Sequence, residues 1–323
     1  MKRYLPLLIS LIAFALFALS LGAADISHVW GYILNPFHDV NSASHQIIWQ
    51  IRAPRIGAAI LVGLCLGIAG VLAQGSTNNP LADPAILGTS AGAAVGVLTG
   101  VIFNIVAIGS VGAVLFAAIG ALLATLLTFS LARSALQLIT IGIGVSAILT
   151  AIVGLALSIV SRPDARSVSF WSFGSLALVT PKTLAVLLPV AIICALLAWK
   201  LAPTIDLLSL GDESVRHMGF DPQKIRLRSF VVLATLVAVT VSTVGAIAFL
   251  ALAAPHIARY LVGPQNRRLV YFSAIIGALI LLIADTASRA LVPPNELPIG
   301  LLTSLVGAPI LILTLKKGGD IWR

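Results

Sequence analysis

Charged residues are scarce in this chain. Asp, Glu, Lys and Arg together make up 10% of the residues, hydrophobic residues make up 59%, and the mean hydropathy is +1.08. A water-soluble domain carries about a quarter charged residues, so this composition excludes that class. Apolar runs of about 20 residues are long enough to cross the hydrocarbon layer as helices. We therefore expect an all-α polytopic membrane protein.

Cysteine and the common catalytic motifs are also nearly absent. Cys65 and Cys194 both lie inside apolar runs without a CxxC pattern, which disfavours a disulfide framework and a metal site. We interpret them as packing residues. The sequence has no HExxH motif and no glycine-rich loop ending in Lys-Ser/Thr, so no metalloprotease or nucleotide site is predicted. If ATP drives this protein, another subunit must bind that ATP.

The apolar runs predict about ten membrane helices in a single domain covering residues 1–323. The first run, residues 1–24, resembles a signal peptide, but its length favours a first spanning helix. The other predicted spans are 54–74, 86–106, 108–131, 137–160, 184–201, 230–250, 272–292 and 299–315, with a half-length helix at 253–261.

The net charge of +9 would indicate nucleic acid in a soluble protein, but here it reports topology, and no nucleic-acid partner is expected. With both termini in the cytosol, most of the 20 basic residues fall on the cytosolic side, as the positive-inside rule requires. The exceptions are Arg52, Arg55, Arg162, Arg166, Lys182 and Arg289.

One polar island interrupts the apolar sequence, SLGDESVRHMGFDP from Ser209 to Pro222. Ser209 is predicted as the N-cap of a short helix that ends at Gly219. Asp221 and Pro222 predict the start of a second helix that runs into the apolar segment from Phe230. Such a helix pair at the membrane face is well placed to be moved by a soluble partner that binds it. The alternative interpretation is a solvated loop.

Small residues recur at helical spacing in two of the predicted spans. Gly88, Gly92, Gly96 and Gly100 are four residues apart, and Gly63 and Gly67 form another pair. Such spacing allows close approach of helix backbones in lipid. The stretch from Gly88 to Gly92 also matches the GxSxG nucleophile pattern, but that pattern needs a strand-turn-helix context, so helix packing is the preferred interpretation.

Fixed cations lie near the predicted outer face. Asp285 and Arg289 are four residues apart, which predicts an ion pair on one helix face. Arg289 is expected to extend to the surface and, with Arg52 and Arg55, to suit an acidic protein partner or an anionic ligand. Simple anchoring at the membrane interface is the alternative.

Several stretches in one order together resemble the FecCD/BtuC-like permeases of bacterial ABC importers for ferric siderophores, haem and cobalamin. They are IRAPRIGAAILVG, NNPLADPAILGTSAGA, LLSLGDESVRHMGF, AIAFLALAAPHIARYLVGP, LLIADTASRAL and ELPIGLLTSLVGAPI, spread from Ile51 to Pro309.

The resemblance implies a ten-helix permease in the cytoplasmic membrane that dimerises around a central pathway. It implies two ATPase subunits on the cytosolic side, which bind ATP and Mg²⁺, and a substrate-binding protein on the outer side. No cofactor is bound by the permease itself. The family's coupling helices map onto the loop at about residues 204–229, through Leu210, Gly211, Asp212, Glu213, Val215, Met218 and Gly219.

The resemblance also assigns the outer arginines and a gate. Arg52, Arg55 and Arg289 match the family's arginines that receive acidic residues of the binding protein. The family's polar cytoplasmic gate falls at Ser134, Ala135 and Leu136, where this chain is less polar.

Two departures from the sequence pattern that is common in this family bear on the substrate and on the partner subunit. This chain has FLALAAPH, with Ala251 where a glycine is more common, and a LIIIGIGV-like stretch from Leu138 to Val145. Both resemble the second permease of ferric-catecholate siderophore systems. They favour ferric siderophore import and a heterodimer with a second permease, the alternatives being haem or cobalamin import and a homodimer. From a different class, an ATPase-independent secondary transporter would need titratable residues at mid-membrane, and the spans have almost none besides Asp285.

Overall fold

The computed structural model describes residues 4–22, 26, 29–35, 39–40, 42–85, 87–107, 110–132, 134–159, 173–292 and 295–317. Across these ranges the regular structure is helical, without strands. The helices are α1 Tyr4–Ser20, α2 Val29–Leu34, α3 Ala43–Gln46, α4 Ala53–Thr77, α5 Thr89–Ile102, α6 Val111–Leu131, α7 Ala135–Ile159, α8 Pro181–Leu207, α9 Asp212–His217, α10 Pro222–Val244, α11 Leu250–Val262, α12 Asn266–Ala290 and α13 Ile299–Lys317.

Six helical stretches in the described part are long and apolar enough to cross a membrane. They are Ala43–Thr77, Val111–Leu131, Leu136–Ser158, Pro181–Leu210, Pro222–Val244 and Asn266–Ala290. Shorter apolar helices lie at Leu5–Ser20, Thr89–Ile102, Leu250–Val262 and Ile299–Pro309. The all-helical membrane class is thereby confirmed, while the number of crossings and the side of the termini stay predictions.

Three helices form the centre of the bundle. Most residues of α4, α10 and α12 are buried, and α4 packs against both of the others. The outer helices α6, α7 and α8 are apolar and only a minority of their residues are buried, with large side chains such as Leu123, Ile148 and Ile193 on the surface. An apolar surface of this kind is suited to lipid or to another membrane subunit rather than to water.

Glycines set the closest helix contacts, as the four-residue spacing predicted. A Cβ on Gly63 or Gly67 of α4 would collide with the backbone of α12, and one on Gly277 of α12 would collide with the backbone of α4. In the same way Gly92 and Gly96 of α5 face the backbone of α6. These pairs bring the helix axes close enough for extensive dispersion contacts, which drive helix association where lipid offers no hydrophobic gain.

Helix boundaries differ from the predicted spans where glycine ends a helix. The predicted span 230–250 ends at Val244, because Gly245 has φ +77° and breaks the helix before α11. The predicted half-length helix at 253–261 is present as the 13-residue α11. The first segment packs into the fold as α1, burying Leu11 and Ala18 against its neighbours.

Candidate functional site

The polar island folds as a helical hairpin at one end of the bundle, which we call the α9 end. Gly211 has φ +88° and Gly219 has φ +83°, backbone angles that favour glycine, and they bracket α9. Phe220 N–H donates to the Val215 carbonyl at 3.1 Å, which closes the turn. The Asp221 side chain then caps α10 by accepting from the backbone N–H of Gln223 at 3.0 Å. The predicted stop at Gly219 and start at Asp221-Pro222 are confirmed.

The predicted N-cap of the first helix was wrong. Ser209 belongs to a short 3-10 turn, and its hydroxyl donates to the Asp206 carbonyl at 2.7 Å. The residue before α9 is Gly211, which offers no side-chain cap. A capping serine needs extended backbone just before the helix, and Gly211 occupies that place with positive φ.

The hairpin exposes apolar side chains. Leu210, Met218 and Phe220 are each about half exposed, whereas Val215 is fully buried and anchors α9 to the bundle. Of the predicted coupling residues, Val215 therefore lies on the inner side, and Leu210 and Met218 lie on the outer side. Phe220 was missed by sequence reasoning, although an aromatic residue beside Gly219 in a polar loop was a visible signal.

A buried arginine holds the first residue of α9. Arg226 Nη1 and Nη2 donate to the two carboxylate oxygens of Asp212 at 2.8 and 2.7 Å. Its Nε donates to the Ser76 carbonyl at 3.0 Å, in the last turn of α4. The two hydrogen bonds from Arg226 to Asp212, together with the positive charge of the guanidinium, hold the pKa of the Asp212 carboxyl below its ordinary value. Sequence reasoning missed Arg226 because its partners lie on other elements.

A cleft of about 980 Å³ opens beside the hairpin at the same end. Asn78, Asp206, Ser209 and Asn266 are among the residues that line it. Asp206 Oδ1 accepts from the backbone N–H of Asn266 at 2.9 Å and from its side-chain amide at 2.8 Å, which fixes the start of α12 against the end of α8. The cleft is therefore bounded by helix ends that are tied to one another.

An ionic cluster lies at the opposite end of the bundle, which we call the Arg55 end. Arg55 Nε contacts Asp285 Oδ1 at 2.8 Å, and Arg55 Nη1 contacts Glu296 Oε1 at 2.7 Å. Arg289 Nε lies 3.2 Å from Asp285 Oδ2, which confirms the predicted ion pair four residues apart. Sequence reasoning missed Glu296, which is the most exposed of these side chains.

The other two predicted docking arginines are turned inward to the end of α1. Arg52 Nη1 donates to the Leu19 carbonyl at 2.9 Å, and Arg289 Nη1 donates to the Leu21 carbonyl at 3.1 Å. The last carbonyls of a helix lack intrahelical partners and carry partial negative charge, so cations are favourable there. The expectation that Arg289 extends to the surface was wrong, because its side chain is 6% exposed. The role of the three arginines in docking stays a prediction.

The predicted gate lies at the start of α7. Ser134 is exposed and its hydroxyl oxygen accepts from the backbone N–H of Gln137 at 3.3 Å. Leu136 is also exposed, while the side chain of Ala135 lies outside the described residues. The gating role of these three residues stays a prediction.

The GxSxG stretch packs as glycine-rich helix. Gly88 has φ +79° at the start of α5, and the Thr89 and Thr125 hydroxyls are 2.9 Å apart in the buried contact between α5 and α6. A Cβ on Gly92 would lie 2.5 Å from the Gly120 carbonyl oxygen. The preferred interpretation as packing is confirmed.

Comparison with known proteins places these features in a family. The model of the FecCD transport family matches residues 7–317. The Iron(3+)-hydroxamate import system permease protein FhuB of Bacillus subtilis is 35% identical over 309 residues, covering 94% of this chain and 80% of that protein. The Hemin transport system permease protein HmuU of Yersinia pestis is 35% identical, covering 94% of this chain and 92% of that protein.

A solved structure shares the whole fold. It is described as an inward-facing conformation of a metal-chelate type ABC transporter, and it superimposes with a TM-score of 0.87 at 29% identity. The match covers 98% of this chain and 99% of that one. With the six span-length helices, these similarities make the protein a multi-pass protein of the cytoplasmic membrane.

Proposed function

This chain belongs to the FecCD transport family, and from that premise we propose that it is one permease subunit of an ATP-driven importer that moves a ferric siderophore into the cell. The observation that carries the proposal is the family match over residues 7–317, which includes both the α9 hairpin and the Arg55 end. Two separate ATPase subunits hydrolyse ATP with Mg²⁺, and this chain binds no cofactor.

The α9 hairpin is the contact for the ATPases. Leu210, Met218 and Phe220 give the hairpin an exposed apolar patch, with Leu210 before the short helix α9 and the other two residues after it. A patch of this kind at a polar loop is suited to burial against a soluble partner. The basic residues around it, Arg216, Lys224 and Arg228, favour the cytosolic side.

The Arg55 end is the docking face for the substrate-binding protein. Arg52, Arg55 and Arg289 carry three positive charges against the two negative charges of Asp285 and Glu296, which leaves one net positive charge. Because the arginines are buried and Glu296 is the most exposed charged side chain of the cluster, an acidic residue of the binding protein must replace Glu296 as the partner of Arg55. Electrostatic complementarity would steer and orient that encounter.

The second permease packs along the exposed face of α7. Few residues of this span are buried, and a Cβ at Gly144 or Gly154 would meet nothing within 4 Å. A pathway for a large chelate between two permeases needs such an unfilled apolar face. The sequence at Ala251 and from Leu138 to Val145 favours a heterodimer, in which the partner is a second permease with a different sequence. A homodimer is the alternative.

Siderophore is preferred over haem and cobalamin as the substrate. Relatives named for iron-hydroxamate, iron uptake and iron-citrate import are 35%, 34% and 35% identical to this chain. Relatives named for hemin and vitamin B12 transport reach 35% and 32%, so haem import is the second candidate.

The test is transport by the intact complex. The tagged chain is purified gently from its native membrane with its partners, identified by mass spectrometry, and reconstituted into vesicles with the binding protein. We expect an ATPase and a second permease to co-purify, and ATP to drive uptake of a ferric siderophore but not of hemin or cobalamin. Uptake of hemin instead would shift the proposal to the second candidate. An intact preparation without any ATPase would refute it.

A further inference from the structure

Arg226 joins three elements at the α9 end. It lies in the first turns of α10, and its guanidinium binds both carboxylate oxygens of Asp212 at the start of α9. Its Nε–H donates to the Ser76 carbonyl of α4. The side chain of Arg226 is 6% exposed, so it is enclosed by these elements and presents almost no surface to a partner.

Each contact has a clear physical basis. A bidentate arginine-carboxylate pair is strong and fixes the relative orientation of its two partners. Ser76 lies in the last turn of α4, where backbone carbonyls lack helical partners and a cation is favourable. Arg226 therefore forms a rigid joint between α9 and the end of α4.

α4 extends from this joint through the centre of the bundle. Gly63 and Gly67 pack against the α12 backbone without a gap, so α4 and α12 cannot slide past each other freely. At its other end α4 carries Arg55, which is held by Asp285 of α12 and by Glu296. A displacement of the α4 end at Ser76 is therefore carried along the α4–α12 pair to the Arg55 end.

We infer that Arg226 is the positioning residue that transmits movement of α9 to α4, and through α4 to the rest of the membrane domain. The inference rests on the proposed function of the α9 hairpin as the ATPase contact. Arg226 itself does not touch the ATPase; it converts a push on α9 into a displacement of α4. Lysine cannot replace it, because a single ammonium cannot hold both carboxylate oxygens and the Ser76 carbonyl in one planar geometry.

The test compares Arg226→Lys with Lys200→Gln in the reconstituted complex. Lys200 lies in α8, outside the hairpin, and is exposed, so it controls for the change of a basic residue elsewhere in the chain. The readout is the amount of chelate taken up per ATP hydrolysed. For Arg226→Lys we expect continued hydrolysis and an uptake-to-hydrolysis ratio lowered about tenfold, within the range of coupling free energies between sites. For Lys200→Gln we expect the wild-type ratio.

A second variant separates transmission from folding. Asp212→Asn keeps the shape of the side chain but weakens the joint from the α9 side, and it is also expected to lower the ratio. Because both changes act on one joint, the double variant should lower the ratio no further than Arg226→Lys alone. Multiplied effects in the double variant would overturn the inference.

The remaining outcomes are also decisive. An unchanged ratio in Arg226→Lys overturns the inference, and so does a parallel loss of hydrolysis, uptake and melting temperature, which would make the role structural. If the wild-type complex itself takes up no chelate, the proposed function fails. If the wild-type complex transports chelate and the variants have the same uptake-to-hydrolysis ratio as the wild type, the proposed function stands and this inference alone fails.

Discussion

The contact between α4 and α12 offers the sharpest test of the packing argument, through Gly67→Ala. A Cβ on Gly67 would collide with the Ser273 carbonyl oxygen and would lie 2.7 Å from its carbonyl carbon. Both atoms belong to the backbone of a buried helix, so no side chain can rotate away. The two helices would have to separate.

The expected magnitude follows from two opposing effects. Alanine favours the helix over glycine by about 1 kcal/mol. Overpacking a close contact costs about 1–3 kcal/mol, with the upper part of the range expected here because the obstacle is backbone. The net loss is then about 1–2 kcal/mol, which corresponds to a fall of about 2–4 °C in melting temperature for a chain of this size.

The measurement is thermal unfolding of the purified complex in detergent, with Gly31→Ala as the matched control. Gly31 lies in the helix α2, and a Cβ there would meet nothing within 4 Å. The control therefore adds the same methyl group without the collision, and its melting temperature should equal or slightly exceed that of the wild type. If Gly67→Ala has the same melting temperature as the control, the α4–α12 contact is looser than the structure shows and the reasoning is refuted.

Two further predictions concern the ionic contacts at the two ends. Asp285→Asn leaves two buried arginines without the carboxylate that they share. Because breaking a buried ion pair costs about 3–5 kcal/mol, the melting temperature of this variant should fall clearly below that of Gly67→Ala. A melting temperature equal to that of the wild type would contradict this prediction. The pKa of Asp212 is lowered by Arg226, so the joint contributes stability above the ordinary carboxyl pKa of about 3.9 and loses it as the pH falls through the lowered value. The rate of amide hydrogen exchange in α9, corrected for its intrinsic pH dependence, should therefore stay constant from neutral pH to about pH 5 and rise only under more acid conditions. In Asp212→Asn this rise at acid pH should be absent. A rise near neutral pH would contradict the assignment.

The sequence by itself determined the class of protein and most of its helices. Twenty-residue apolar runs can fold in a membrane only with their backbone hydrogen bonds satisfied internally, so their existence as helices follows from composition. Local signals were equally informative: Gly219 ends α9, Asp221 and Pro222 begin α10, and the spacing of Asp285 and Arg289 gave their ion pair. Each of these depends on residues within one turn of helix.

Only the tertiary structure decided the partners of the buried charges. Arg55 is separated from Asp285 by 230 residues and Arg226 from Ser76 by 150, and no local pattern relates them. The sequence showed that Gly63 and Gly67 were available for a close contact, but not that α12 would supply it. In a membrane interior each charge must find an opposite charge or a free carbonyl, and which one it finds depends on how the helices assemble.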